Sequence, residues 1–412
     1  MIEQPATNID IMGDAFRRDP GPPCQVLREQ GALVASRLPL VGAVHLATHY
    51  AAVDEALKHP DLSVDFLTHA RSPIARAFAA IPNPLQILSN NMLQRDGTTH
   101  RRLRRVVDGP FRRAAIDALR PRIEQLTDRA LDRLATSKTP DFVPCVARDL
   151  PLAVICELLG IPAHDRPQIE RWMARIGAAG SPIGFLRALP ALRGLSGYLA
   201  AHFDAYTPRG SDDLTTLLLS GDADPPLTKD ERLATCFLLF VAGHETTTHL
   251  LSGSVLALAA QPEEVDDHFS PFREASDGAA AGAARIDELL RHVSPVMFAK
   301  PRIATSDLEI AGKAVPQGTT ILPLLVAGNR DPVIFDAPDE IRFHRAPPRH
   351  LGLGAGPHFC LGAWLARLEA DIVLTRFAAR YRRIALAVPR RHMRYAKASG
   401  MRALTALPFV LD

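Results

Sequence analysis

The sequence predicts a mainly α fold with small β-sheets, and three observations predict it. Apolar residues recur with helical spacing over most of the 412 residues. Strand-like alternation is confined to short runs near residue 46 and over 302–326. The longest helical pattern, Thr228 to Ala260, is apolar on nearly every face and is therefore expected to be buried. No internal repeat, linker or low-complexity tail divides the chain, so a single domain over residues 1–412 is expected, residues 1–45 contributing least to that reading.

Residues 46–60 (LATHYAAVDEALKHP) predict a short strand and then an amphipathic helix ending before Pro60. Residues 62–95 form a long connection with Pro73, Pro82 and Pro84 among apolar Ile74, Phe78, Ile81, Ile87 and Leu88. A connection of that length inside a compact chain is usually functional or disordered. His100 to Leu134 reads as helical with arginine-rich faces, and residues 145–220 as helices broken at Gly160-Ile161-Pro162, Gly180-Ser181-Pro182 and Pro208-Arg209-Gly210. Thr228-Lys229-Asp230-Glu231 has the capping-box form, so the long helix should begin there and run roughly 50 Å to the neighbourhood of Pro262. Another helix is expected over 285–294, strands over 302–326, an irregular stretch to Arg349, and a last helix from Cys360 to Arg380.

Composition excludes several classes. Hydrophobic residues make up 47% and charged residues 23%, against disorder. The 48 basic and 45 acidic residues are interspersed, and a net charge of +3 is too weak for a nucleic-acid surface. Met1 to Met12 has no basic start and no apolar run, and Leu233 to Gly243 is about half of the ~20 residues a membrane span needs. A cytoplasmic protein without membrane or nucleic-acid partners is expected. Cys24, Cys145, Cys156, Cys236 and Cys360 are odd in number, widely spaced and without a C-x-x-C pair, which argues against a disulfide framework or structural zinc.

Cys360 differs from the others in its surroundings. Leu351 to Gly362 reads LGLGAGPHFCLG, in which Gly352, Gly354 and Gly356 allow tight turns and close approach. A helix start at Cys360 would offer free amide donors that favour a thiolate. A dinucleotide loop is the competing reading, but Gly354-Ala355-Gly356 is followed by Pro357, His358 and Phe359, with no third glycine for G-x-G-x-x-G, and no strong strand precedes. A core cysteine beside a turn is the plainer alternative. The complete loop outweighs both.

The loop resembles the haem-binding signature of the cytochrome P-450 family, through Gly354, Gly356, His358, Cys360 and Gly362, with Leu353 where phenylalanine is usual. Val241-Ala242-Gly243-His244-Glu245-Thr246-Thr247-Thr248 resembles that family's acid–alcohol segment. An acid and three threonines in an apolar helix cost free energy unless they have partners or a task, and threonine hydroxyls can bend a helix. A kink beside Gly243 is expected. His244-Glu245 and His249 would suggest a zinc hydrolase, but His249 lies five residues on, about 140° round the helix, so the imidazoles diverge. Glu288-Leu289-Leu290-Arg291 puts two charges on one helix face, and Arg345 occupies the place of the arginine that joins this pair in the family.

The resemblance runs from about residue 46 to Leu407-Pro408 and includes Asn329-Arg330-Asp331-Pro332. It implies an α-rich prism with haem b between the long central helix and the cysteine helix, and Cys360 as axial ligand of the iron. It implies proton handling by Glu245 and Thr246, haem contacts by Ala242, Gly243, Leu353, Gly354 and Gly362, and propionate contacts by His100, Arg104, Arg302 and His358. Glu288, Arg291 and Arg345 take a folding role. The implied reaction puts one atom of O2 into a substrate, with electrons from a separate ferredoxin and its reductase. A haem protein that binds a ligand or gas without turnover is the rival, against which the Glu245–Thr246 pair argues. Candidate pocket walls are Ile87, Leu239, Val293, Val296, Met297 and Leu404, mostly apolar, which suits a hydrophobic or amphipathic substrate such as a terpenoid, macrolide, steroid or fatty acid. Arg101, Arg102, Arg105, Arg112 and Arg113 crowd one stretch and offer an acidic electron carrier a docking surface.

Overall fold

Proline and glycine cut the arginine-rich segment more finely than its apolar pattern suggested. In the computed structural model, which describes residues 7–38, 41–69, 90–177, 182–208, 214–220, 223–260, 268–274, 278–345, 349–381, 384–397 and 400–411, the helix α1 covers Gly97–Asp108. A 3-10 turn at Gly109–Phe111 and a short helix at Arg113–Asp117 follow before α2, Arg120–Thr136. Pro110 and Pro121 each stand in the first turn of a new element, where their missing N–H costs nothing. Helices at Asp149–Leu158 (α3), Arg166–Gly177 (α4) and Pro182–Ala205 (α5) come next.

The long helix α6 covers Lys229–Ala259. Its capping box is formed as its sequence predicts: Glu231 N donates to Thr228 Oγ1 at 3.2 Å, and Thr228 N donates to the Glu231 carboxylate at 2.9 Å. The helix stays α-helical through Gly243. Its hydroxyls turn inward on the helix, Thr246 to Ala242 O at 2.6 Å, Thr248 to His244 O at 2.9 Å and Ser252 to Thr248 O at 2.8 Å. Helix α7 spans Gly278–Val293, longer than the predicted 285–294, and α8 spans Ala363–Arg380, three residues later than the predicted start at Cys360. The intervening Gly362 is its N-cap. One large core cluster runs through α1, α2, α3, α6, α7 and α8.

A five-stranded sheet forms the smaller part, in the order β1 (Leu33–Leu38), β2 (Gly42–Ala47), β7 (Thr320–Pro323), β4 (Arg302–Ala304), β3 (Leu62–Ser63). Only β2 and β7 pair parallel, with His45 opposite Ile321; the other pairs are antiparallel. Two further antiparallel pairs are β5 (Leu308–Ile310) with β6 (Lys313–Val315), a short hairpin, and β8 (Ile384–Leu386) with β9 (Phe409–Leu411), distant in the chain. The architecture is mainly α with small sheets. No helix among the described residues is long and apolar enough to cross a membrane.

Candidate active site

The cysteine loop is shaped by its own backbone. Gly354 N donates to Leu351 O at 2.8 Å, Cys360 N to Leu353 O at 2.9 Å, and Phe359 N to Gly356 O at 3.0 Å. Gly356 has φ +69°, and a Cβ there would come within 2.7 Å of Leu57 O, so both conformation and space require glycine. Arg104, from α1, donates to the carbonyls of Pro357 at 3.0 Å and Phe359 at 2.7 Å and ties the two segments together. Burial pushes the Cys360 thiol up, and the Gly362 backbone amide opposes it. The stabilising donor is thus a loop amide rather than a helix start at Cys360.

Cys360 opens onto a cavity with about 890 Å³ of unfilled space, part of it open to solvent. Cys360, Leu361 and Gly362 line one wall; Leu239, Ala242, Gly243, Thr246 and Thr247 of α6 line another. Ala242 is exposed in the middle of a largely buried helix, because its face looks into this space. Met92, Leu93, Phe111, Ile155, Leu238, Leu365 and Ala366 also line it and carry no sequence signal of their own. Leu353 is buried and Gly354 has φ +71°; both shape the loop without lining the cavity.

One rim of the cavity is cationic. The rings of His100 and His358 stand 4.3 Å apart, and both line the space with Arg104. Burial, then the charges of His358 and Arg104, lower His100 to about 4. Arg302 does not itself line the cavity; it is 4% exposed, its Nε is buried without a hydrogen-bond partner, and burial lowers it to about 10. Asp96, which no sequence feature singled out, accepts from His358 Nε2 at 2.9 Å, from Ser63 Oγ at 2.8 Å and from Val64 N at 2.7 Å. Burial raises its carboxyl, but these hydrogen bonds prevail and hold it well below the usual carboxylate range. Apolar walls with a cationic rim and an orphaned guanidinium nitrogen fit a flat apolar macrocycle that carries carboxylates on one edge. An iron porphyrin has that form.

Glu245 does not line the cavity. Its carboxyl packs on the bare backbone of Gly177 at the end of α4, where a Cβ would collide with it. Burial raises its pKa, and Arg148 partly offsets that. Thr246 lines the cavity, with its hydroxyl donated to Ala242 O, and so does Thr247.

Of the expected pocket walls, Leu239 is on this cavity. Val293 and Leu404 instead line a separate small cleft, Met297 packs into a second core cluster, and Val296 bridges to Met401. Ile87 lies outside the described residues. Glu288, Arg291 and Arg345 do meet: Arg291 forks onto the Glu288 carboxylate at 2.7 and 2.8 Å, and Arg345 Nε reaches it at 3.3 Å.

Known proteins share this arrangement over nearly the whole length. The family model described as Cytochrome P450 matches residues 282–394. The chain is 32% identical to the cytochrome P450 monooxygenase PikC of Streptomyces venezuelae, over 98% of this chain and 94% of that protein. It is 33% identical to a vitamin D(3) 25-hydroxylase of Pseudonocardia autotrophica, over 98% and 96%. The crystal structure of the myxobacterial cytochrome P450 CYP267B1 in complex with myristic acid superposes with a TM-score of 0.85 at 32% identity, covering 98% of each chain. With a cavity that fits haem and relatives that are oxidoreductases, this chain belongs to the cytochrome P450 family of haem-thiolate monooxygenases, which hold iron protoporphyrin IX through a cysteine.

Proposed function

We propose that Cys360 is the haem-ligating cysteine, that Glu245 and Thr246 handle protons, and that the enzyme oxidises a hydrophobic or amphipathic small molecule with electrons from a separate ferredoxin and its reductase. The observation that carries this reading is one cavity bounded by both Cys360 and Thr246. The haem, when bound, supplies dioxygen activation, its thiolate ligand adding electron density that favours O–O cleavage.

The residues divide the remaining work. The Cys360 backbone is fixed through Leu353 O, and Arg104 braces the same loop through two carbonyls. Arg104 and Arg302 are the cations, and His100 and His358 the imidazole donors, placed to pair with propionates. Leu238, Leu239, Phe111 and Ile155 exclude water from the apolar walls. Thr246 Oγ1 donates to Ala242 O and keeps lone pairs free to accept a proton donor from the cavity. Glu245, raised by burial, holds its proton nearer neutral pH than an ordinary glutamate, as suits a group that passes protons on. Vitamin D(3) and myristic acid, named for two similar proteins, are apolar bodies with a polar end, and they support the same ligand class here. Five unpaired cysteines suit a reducing compartment, and we place the enzyme in the cytoplasm as one domain.

Replacing Thr246 by valine keeps the volume and removes the hydroxyl. Substrate binding and consumption of reducing equivalents should persist, while product per electron pair falls several-fold and hydrogen peroxide makes up the difference. Thr247→Val, on the same cavity but about 100° further round the helix, should lose much less. A Thr246→Val enzyme as tightly coupled as wild type would put proton delivery elsewhere.

The donor surface is proposed on the cysteine side. Arg112 and Arg113 are 75% and 56% exposed despite their Asp108 and Asp117 partners, and the Arg113 guanidinium lies 5.1 Å from the ring centroid of Trp364 on α8. Arg102 differs from its neighbours, being held by Glu231 and Pro225 O. Ferredoxin-driven turnover should therefore fall as salt shortens the ~8 Å physiological Debye length. Charge reversal at Arg112 should slow reduction and spare substrate binding; loss of both together would mean a damaged fold.

A further inference from the structure

We propose that a second, cationic cleft of this protein binds a small oxyanion: a phosphate, sulfate or carboxylate group. The cleft has about 350 Å³ of unfilled space, part of it open to solvent, and shares no lining residue with the haem-side cavity. It lies between the second half of α6, the end of α7 and the C-terminal segment, and its polar lining is His292, Arg390, Tyr395 and Arg402. Among the described residues, no carboxylate lines it.

The groups around it have hydrogen bonds but little compensating charge. Arg402 donates to the carbonyls of Arg17 at 2.8 Å, Arg18 at 3.4 Å and Val293 and is hydrogen-bonded to the Tyr395 side chain, while its charge is met only by the exposed Asp19 among the described acids. Arg330, 4% exposed, backs the cleft: it donates to His292 O at 2.6 Å, and its Nη1 has no partner. Its one acid, Asp339, is 68% exposed and largely solvated. His292 Nδ1 is buried without a partner. Burial and the guanidinium groups of Arg330, Arg291, Arg402 and Arg390 hold this imidazole well below its ordinary range.

Partly buried guanidinium charge with little counter-charge is costly, and an anion in the cleft would reduce that cost. The Arg390 guanidinium, the Tyr395 phenol and the His292 imidazole present several directed donors at once, which favours a multi-acceptor oxyanion over chloride. Protonation of His292 on binding would add a further donor. The occupant would also steady the surrounding chain, because Arg402 N donates to Pro295 O at 2.9 Å and Val296 pairs with Met401.

The experiment uses ferric holoenzyme at constant ionic strength. Equilibrium dialysis with labelled inorganic phosphate should find one saturable site per chain, displaced by sulfate, and the thermal midpoint should rise with the same saturation curve. Acetate in place of phosphate tells a carboxylate site from a phosphate site. Arg390 is exposed, so Arg390→Gln should fold and keep its Soret band while losing phosphate affinity about tenfold or more. His292→Asn should weaken binding in the same direction. Absence of a saturable site, an effect of chloride equal to that of phosphate, or undiminished affinity in Arg390→Gln would each overturn the proposal. Haem loss would show in the Soret band alone, so failure of the active-site reading is distinguishable from failure here.

Discussion

Reduced Cys360→Ser under carbon monoxide should lose the red-shifted Soret band of a thiolate-ligated haem altogether, while Cys156→Ser and Cys236→Ser keep it. A serine hydroxyl is far more reluctant than a thiol to ionise at the iron, so the electron-rich ligand disappears even where haem is retained. The other cysteines cannot substitute, since none lines the cavity. Burial also pushes the Cys24 thiol up to about 11 and Cys156 to about 12, and Cys236 is raised in the same way. The Cys360 thiol is raised by burial too, and a metal ion deprotonates a coordinating thiol outright. Metal-free protein should therefore alkylate slowly at Cys360. A normal thiolate spectrum in Cys360→Ser would remove this residue from the site.

What could be read from the sequence was local. The capping box at Thr228 needs only Glu231 three residues on, and it is formed. The Gly354–Gly356 turns are likewise set by neighbours in the chain. Where a local pattern misled, a local competitor explains it: Gly362 caps α8, so that helix starts after Cys360 and leaves the cysteine in the loop. Pro110 divides an apolar pattern that would otherwise run on.

What escaped depends on pairings between distant residues. Asp96 and His358 are 262 positions apart, and nothing around Asp96 announces a partner. The Glu245 side chain is directed by Gly177, an unremarkable residue at the end of another helix. Val293 and Leu404 are apolar in a way that fits either a substrate wall or a second cleft; only the packing of α6 against the C-terminal segment decides which cleft they face.

Glu288→Ala should yield protein largely without haem, although Glu288 touches neither the cavity nor Cys360. The carboxylate is 6% exposed and compensates two guanidinium groups, Arg291 at 1% and Arg345 at 11% exposure. It also accepts from Arg342 N at 2.8 Å. Removing one partner of such a buried set leaves charge uncompensated, a loss of ~3–5 kcal/mol. That is a large share of a typical domain's stability of about 5–15 kcal/mol. The damage should centre on the cysteine loop for a structural reason. Arg291 pins the irregular stretch through the carbonyls of Asn329 at 3.1 Å, Pro338 at 2.6 Å and Glu340 at 2.7 Å. Asn329 in turn accepts from Leu351 N at 2.6 Å, the residue that opens the glycine loop, and donates to Ser294 Oγ at 3.0 Å. Loosening Arg291 thus frees the loop's entry before it frees the helices. The ratio of Soret to protein absorbance should fall several-fold in Glu288→Ala and Arg291→Ala, with far-ultraviolet helicity mostly kept. Glu288→Gln, which retains the acceptor and loses the charge, should lie between. A soluble Glu288→Ala protein with full haem and an unchanged melting midpoint would mean that Arg291 and Arg345 are held by the carbonyls alone.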